Sequence, residues 1–279
     1  MLQLGRFNTL RILESRPGGL LLDGGQSRVV ELPADQVRGN WRPGEQLEVF
    51  VYVDSAGQLA ASVDRPLVEM DQVAWLEVID VNNSGAFVDW GLPKDLFIPF
   101  AEQLQPLRKG QHTLVRVYLD NQNRIAGSTR LDHWLGDEAD GLRTGQQVSL
   151  IVGEKTELGF KAVINHSTWG LLYANELYRP IRKGMTLTGY IKRVRPDNKV
   201  DLTLEKPGFD RDRTASVGDQ IIAELTAHAG FLPLTDKSPP ADIHATFGVS
   251  KKVFKQALGA LYKQRRVSLE AGGIRLVES

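Results

Sequence analysis

The side chains that could do chemistry in this 279-residue chain are aromatic and basic, and none is arranged for catalysis. His112, His133, His166, His228 and His244 are scattered, and none pairs with another at metal-ligand spacing. There is no cysteine, hence no disulfide and no thiolate metal site. No glycine loop of the phosphate-cradling kind occurs. The acidic run Asp137-Glu138-Ala139-Asp140 reads as a linker, not a metal site. These observations predict a binding protein, not an enzyme, with no cofactor and no metal.

Two residue types carry the binding chemistry. Phe87 shares a strand face with Asp89, while Ala86 and Val88 share the other. A phenylalanine on a face with a carboxylate points to solvent, where an unpaired base could stack. Trp90, beside a glycine turn, is equally suited to stack or to cover the end of a sheet. Tyr173 shares a face with Leu171, opposite Leu172 and Ala174. Lys192, Arg193 and Arg195 crowd into four residues of one strand run. They suit phosphate contact, and equally a solvated basic edge that resists aggregation. Lys251, Lys252, Lys255 and Lys263 fall on one side of a helix, with Tyr262 beside them. Arg265 and Arg266 follow and extend the stripe.

Those residues are positioned by an internal repeat. A shift of 66 carries Gly19 onto Gly85, Asp23 onto Asp89, Pro33 onto Pro99 and Gly44 onto Gly110. A shift of 74 carries Gly85 onto Gly159, Glu102 onto Glu176, and Arg108-Lys109-Gly110 onto Arg182-Lys183-Gly184. Three copies of one module therefore come first. In the middle copy, short runs at 75–81, 86–90, 96–98, 113–119 and 124–128 alternate with Gly, Asn, Asp and Pro turns. That is hairpin grammar, and five short strands in such a length suit a small closed barrel.

After Thr214 the period changes from two to 3.6. A helix is expected over 218–229. A second should start at Ser238-Pro239, with Ser as cap, and end at Gly248. A third, capped by Ser250, should run from Lys251 to about Lys263 and bury Val253, Phe254, Ala257, Leu258 and Leu261. Val267–Leu269 and Ile274–Val277 then form a hairpin. Helix, helix, tight turn, basic helix, hairpin is the winged-helix order.

The string Ser84 to Gly91 resembles the second strand of the S1 RNA-binding domain, an OB-fold barrel. Gly170 to Leu177 resembles that domain's third strand and following turn. The position of that domain's strand-two aromatic falls on Phe87 but on Leu21 in the first copy, with Leu158, Phe160 and Lys161 nearby in the third. Its strand-three histidine position falls on Ile98 and Tyr173. The first copy, with no aromatic between Phe7 and Trp41, reads as degenerate. As a whole the chain resembles the conserved virulence factor B family, with Phe231 to Ser238 similar to a run of that family. The resemblance implies a cytoplasmic RNA-binding regulator. The expected fold is mainly β with a C-terminal α+β domain: S1-like barrels at 1–66, 67–137 and 138–210, then a winged helix at 214–279.

The formal net charge is zero, unevenly distributed. Residues 1–67 hold seven basic and eight acidic residues, and 68–139 hold six and eleven. Residues 140–214 hold thirteen and nine, and 215–279 hold eight and six. Affinity for phosphate should follow this local charge into the C-terminal half. The expected partner is single-stranded RNA, with stacking on Phe87 and Tyr173 and phosphate contacts from the basic residues named above. Two alternatives remain open. One is duplex DNA read by the winged helix; the other is a scaffold docking on the ribosome or RNA polymerase. No signal peptide or long apolar run is apparent, so no membrane association is expected and the cytoplasm is the expected location.

Overall fold

One glycine position explains much of the repeat. In a computed structural model, Gly19, Gly85 and Gly159 open the second strand of each copy, with φ of +138°, +159° and +156°. A Cβ there would collide with the carbonyl oxygen of Leu32, Ile98 or Leu172 on the neighbouring strand. Only glycine lets the two backbones approach so closely. The structure describes residues 2–177, 179–206 and 209–277, with 209–215 given by backbone alone.

The first copy contains β1 (Arg6–Arg16), β2 (Gly19–Asp23), β3 (Val29–Pro33), β4 (Gln46–Val53) and β5 (Leu59–Ser62). They close in the order β1-β2-β3-β5-β4. The second copy contains β6 (Val73–Val81), β7 (Gly85–Val88), β8 (Leu96–Pro99), β9 (His112–Leu119) and β10 (Ile125–Ser128). Its sheet runs β10-β9-β6-β7-β8 and is nearly closed. Here β8 packs on β10 through side chains, and a Cβ on Gly127 would meet Ile98 Cγ1 at 3.0 Å. The third copy contains β11 (Gln147–Lys155), β12 (Gly159–Ile164), β13 (Thr168–Tyr173), β14 (Thr186–Val194) and β15 (Val200–Thr203), closed as β11-β12-β13-β15-β14. The third and fifth strands pair in parallel in both closed barrels, Glu31 with Ala60 and Gly170 with Val200.

The C-terminal region contains α1 (Phe209–Ala227), β16 (Phe231–Leu232), α2 (Pro240–Phe247), α3 (Lys251–Lys263), β17 (Val267–Glu270) and β18 (Gly273–Leu276). Three differences from the sequence expectation have physical causes. α1 begins nine residues earlier than Gly218, over a stretch whose charged residues hid the helical period. α2 begins at Pro240, because Pro239 precedes a proline and is held extended at φ −54°, ψ 142°. The Ser238 hydroxyl therefore caps nothing and instead accepts from the Thr235 N–H at 2.9 Å. The two-residue strand β16, too short to show a period, adds an edge to the β18-β17 hairpin. Ser250 caps α3 as expected, accepting from the Val253 N–H at 3.4 Å.

The described chain divides into two compact units, one of residues 2–136 with 163–168 and one of 137–162 with 169–277. In the first unit, Leu10, Ile12, Leu22, Leu32 and Val51 fill the first barrel. Phe50 and Tyr52 join the core of the second, where Phe50 meets Trp90 edge-on at 5.8 Å. In the second unit Val217, Ile221 and Leu225 of α1 pack on Phe254, Leu258 and Leu261 of α3.

Candidate nucleic-acid interface

On β13, Leu172 points into the third barrel and Tyr173 outward, half-buried. Beside it on β15 lies Asp201, a carboxylate only 2% exposed. Arg195 donates from Nε to Asp201 Oδ1 at 2.7 Å, and Arg193 donates from Nη2 to Oδ2 at 2.9 Å. The Tyr173 hydroxyl donates to Asp201 Oδ1 at 3.2 Å and accepts from Arg195 Nη2 at 3.0 Å. Burial alone would raise the Asp201 pKa, but the hydrogen bonds from Arg195 and Arg193 outweigh it and hold the carboxyl below its ordinary value. Lys192 pairs with Glu176, and its ammonium lies 5.6 Å from the centre of the Tyr173 ring.

The structure thus brings Tyr173, Lys192, Arg193 and Arg195 together, and adds two acids that sequence reasoning missed. Asp201 sits on the short strand β15, where period two shows a strand but not which side chains gather round the carboxylate. The arginines are therefore not bare phosphate ligands. They are held in fixed orientation around one tyrosine, and Arg193 still keeps 64% of its side chain exposed.

The third helix presents its basic side as expected. Val253, Phe254, Ala257, Leu258 and Leu261 are buried, while Lys252, Lys255 and Lys263 are exposed and Lys251 is half-exposed. The stripe is nevertheless two clusters. Lys251 and Lys252 stand in the first turn, where the positive end of the helix dipole disfavours a cation, so local positive potential is concentrated there. Lys263, Arg265 and Arg266 stand at the far end, roughly 16 Å away at 1.5 Å rise per residue. Arg265 takes φ +58° in the turn into β17, and both arginines are exposed. Lys255 lies between, 3.6 Å from Asp236.

Within the second unit, a cleft of about 580 Å³ lies between the third barrel and the winged helix. Asn175, Glu176 and Lys192 line it from the barrel, and His244, Lys251 and Lys252 from α2 and α3. Asn175, Glu176 and Lys192 also line the smaller hollow around Tyr173, Arg193 and Asp201. The two spaces therefore share one wall.

The second barrel differs. Phe87 is half-buried, and its ring lies 5.2 Å from that of Phe97, its cross-strand partner. Phe97 drew no notice in the sequence because the S1 strand-three histidine position was placed on Ile98. Ile98 is 0% exposed and belongs to the core. The register pairs Gly85 with Pro99, so Pro99, not Ile98, stands where Tyr173 stands in the third copy. Trp90 is likewise core, its indole N–H donating to the Lys94 carbonyl at 2.6 Å. Around Phe87 and Phe97 the nearby charges are acidic. Burial first, then Asp89 and Asp80, push the Asp95 carboxyl up. Among the described residues no group of three or more His, Cys, Asp or Glu side chains could hold a metal ion.

Comparison with known proteins fits this architecture. Residues 4–64 match the S1 domain, and residues 219–276 match the CvfB-like winged helix domain. Conserved virulence factor B of Staphylococcus epidermidis is 26% identical over 99% of this chain and 95% of its own length. Over nearly its full length the chain is similar to the conserved virulence factor B family. Protein YitL of Bacillus subtilis is 28% identical over 96% of this chain and 92% of its own. A crystal structure described as a multidomain protein with nucleic acid binding domains, from Streptococcus pneumoniae, is 25% identical over 98% of both chains, with a TM-score of 0.43. The S1 match falls on the first barrel, the copy that reads as degenerate. Its loss of aromatics, with Leu21 and Glu31 paired where Phe87 and Phe97 stand, is a change of surface on an intact S1 frame. Among the described residues, no helix is long and apolar enough to cross a membrane.

Proposed function

We propose that this protein binds single-stranded RNA along the outer face of the third barrel and into the cleft against the winged helix, and regulates gene expression by occupying transcripts. One observation carries the reading. Lys192, beside the Tyr173 ring, also lines the cleft that holds Lys251 and Lys252. Stacking surface and phosphate-neutralising cations therefore form one path, the combination that single-strand binding needs. Arg193 and Arg195, fixed by Asp201, lose little freedom on binding, and weak sequence specificity follows from stacking and backbone contact.

The duplex-DNA reading has less support. A recognition helix reads base edges with its N-terminal residues. In α3 those residues, Lys251 and Lys252, line the cleft against the barrel. The docking reading is favoured by one feature, the Phe87–Phe97 pair among Asp80, Asp89 and Asp95, which repels phosphate and suits a basic protein surface. Affinity for an unstructured RNA and for duplex DNA of equal length, measured at one salt concentration, tests the proposal. Tighter RNA binding that falls in Tyr173→Ala is expected. Preference for duplex, or no binding to either, rejects it.

A further inference from the structure

A second hollow lies on the third barrel, with Arg195 in its lining. It measures about 460 Å³ and is lined by Leu158, Lys161, Trp169, Leu171, Arg195 and Lys199, among others. Trp169 is 8% exposed, yet its indole N–H finds no acceptor among the described residues. A buried donor left unpaired costs about 1–3 kcal/mol, so its retention calls for a reason. The ring is fixed in place, packed over the backbone of Gly153 on β11. The Lys161 ammonium covers it at 4.4 Å from the ring centre.

We propose that this hollow is a pocket for one nucleobase of the bound strand, with the Trp169 N–H as donor to a base carbonyl. The inference rests on the single-stranded RNA reading above and names a subsite of it. Three features select a base over a phosphate. The walls are partly apolar, through Leu171 and through Leu158, which is 60% exposed. A neutral N–H donor suits a carbonyl. Asp137 and Glu157, also in the lining, disfavour a phosphate inside while accepting from base N–H groups. The cations Lys161, Arg195 and Lys199 serve the phosphates outside. The indole N–H is sealed in this structure, so the base enters as the side chains over the ring move aside. Arg195, hydrogen-bonded to Tyr173 and lining this pocket, links the new subsite to the face already described.

The test is nuclear magnetic resonance of the full chain with ¹⁵N-labelled indoles. Five tryptophans give five indole N–H signals, and the one missing from Trp169→Phe is that of Trp169. Uridine 5′-monophosphate and oligouridylate are titrated separately. Both should shift the Trp169 signal, and Trp169→Phe should bind oligouridylate about ten-fold more weakly with melting unchanged or raised. Oligouridylate binding that leaves the Trp169 signal unmoved, or unchanged affinity in Trp169→Phe, overturns the pocket and leaves the RNA reading standing. A shift with the monophosphate but no affinity for the oligomer upholds the pocket as a nucleotide site and overturns the RNA reading. No response to either ligand overturns both.

Discussion

The second and third barrels carry different chemistry at matched positions of one fold. Phe87 in the second becomes Lys161 in the third, Pro99 becomes Tyr173, and Gly127 becomes Asp201, by the shift of 74 that relates the copies. In the second barrel the outward aromatics pair with each other among carboxylates. In the third, the outward aromatics Tyr173 and Trp169 each lie under a lysine ammonium. The frame is unchanged because the inward residues are: Ile98 and Leu172 are both core. An OB-like barrel separates the two tasks by strand alternation, so its outer face can change sign without cost to its core.

The contrast can be broken from the basic side first. Lys192→Ala, Lys251→Ala and Lys252→Ala together should give the largest loss of RNA affinity. They should also flatten the log–log salt dependence by about two units, at roughly 0.7 per phosphate contact for a single strand. Salt titration of the triple variant checks this, and an unchanged slope would show a merely solvated surface.

Tyr173→Ala should cost about 1–3 kcal/mol of single-strand binding if a base stacks there. Phe87→Ala, in acidic surroundings, should cost much less. Comparing the two variants by fluorescence anisotropy, with melting measured alongside, sharpens the contrast. Equal losses would erase it. Tyr173→Phe keeps the ring but loses its bonds to Asp201 and Arg195, so it should fall between wild type and Tyr173→Ala.

Neutralising the second barrel with Asp80→Asn, Asp89→Asn and Asp95→Asn should raise RNA affinity modestly, by a few-fold, and only at low salt. Repulsion between exposed charges is screened within about 10 Å at 0.1 M ionic strength. No change at low salt would mean that the strand never approaches this barrel.

The smallest effect concerns pH. The Asp201 carboxyl has a depressed folded pKa, so the unfolded chain binds its proton more readily. Its contribution to stability is present above the unfolded value near 4 and is lost as pH falls through the folded value. Urea midpoints of the wild type should therefore drop more steeply below about pH 4 than those of Asp201→Asn. Parallel curves would remove Asp201 from its central position.

Much of this was legible in the chain. The repeat, the turn residues and the period-two runs specify β modules, because a strand's two faces are written in alternate residues. The 3.6 period and Ser250 specify α3 for the same local reason. Local patterns, however, say which face a residue is on and not what lies across from it. Phe97 opposite Phe87, and Pro99 rather than Ile98 at the position matching Tyr173, depend on strand register. Asp201 beneath two arginines and the unpaired indole of Trp169 depend on packing between strands far apart in sequence. The split of the basic stripe, with Lys251 and Lys252 in the cleft beside Lys192, depends on how the winged helix packs on the third barrel. Residue types and spacing determined the elements and the kinds of side chain offered. Only tertiary structure decided which charges are free and which are paired, because electrostatic pairing acts through space over a few ångströms and is blind to sequence separation.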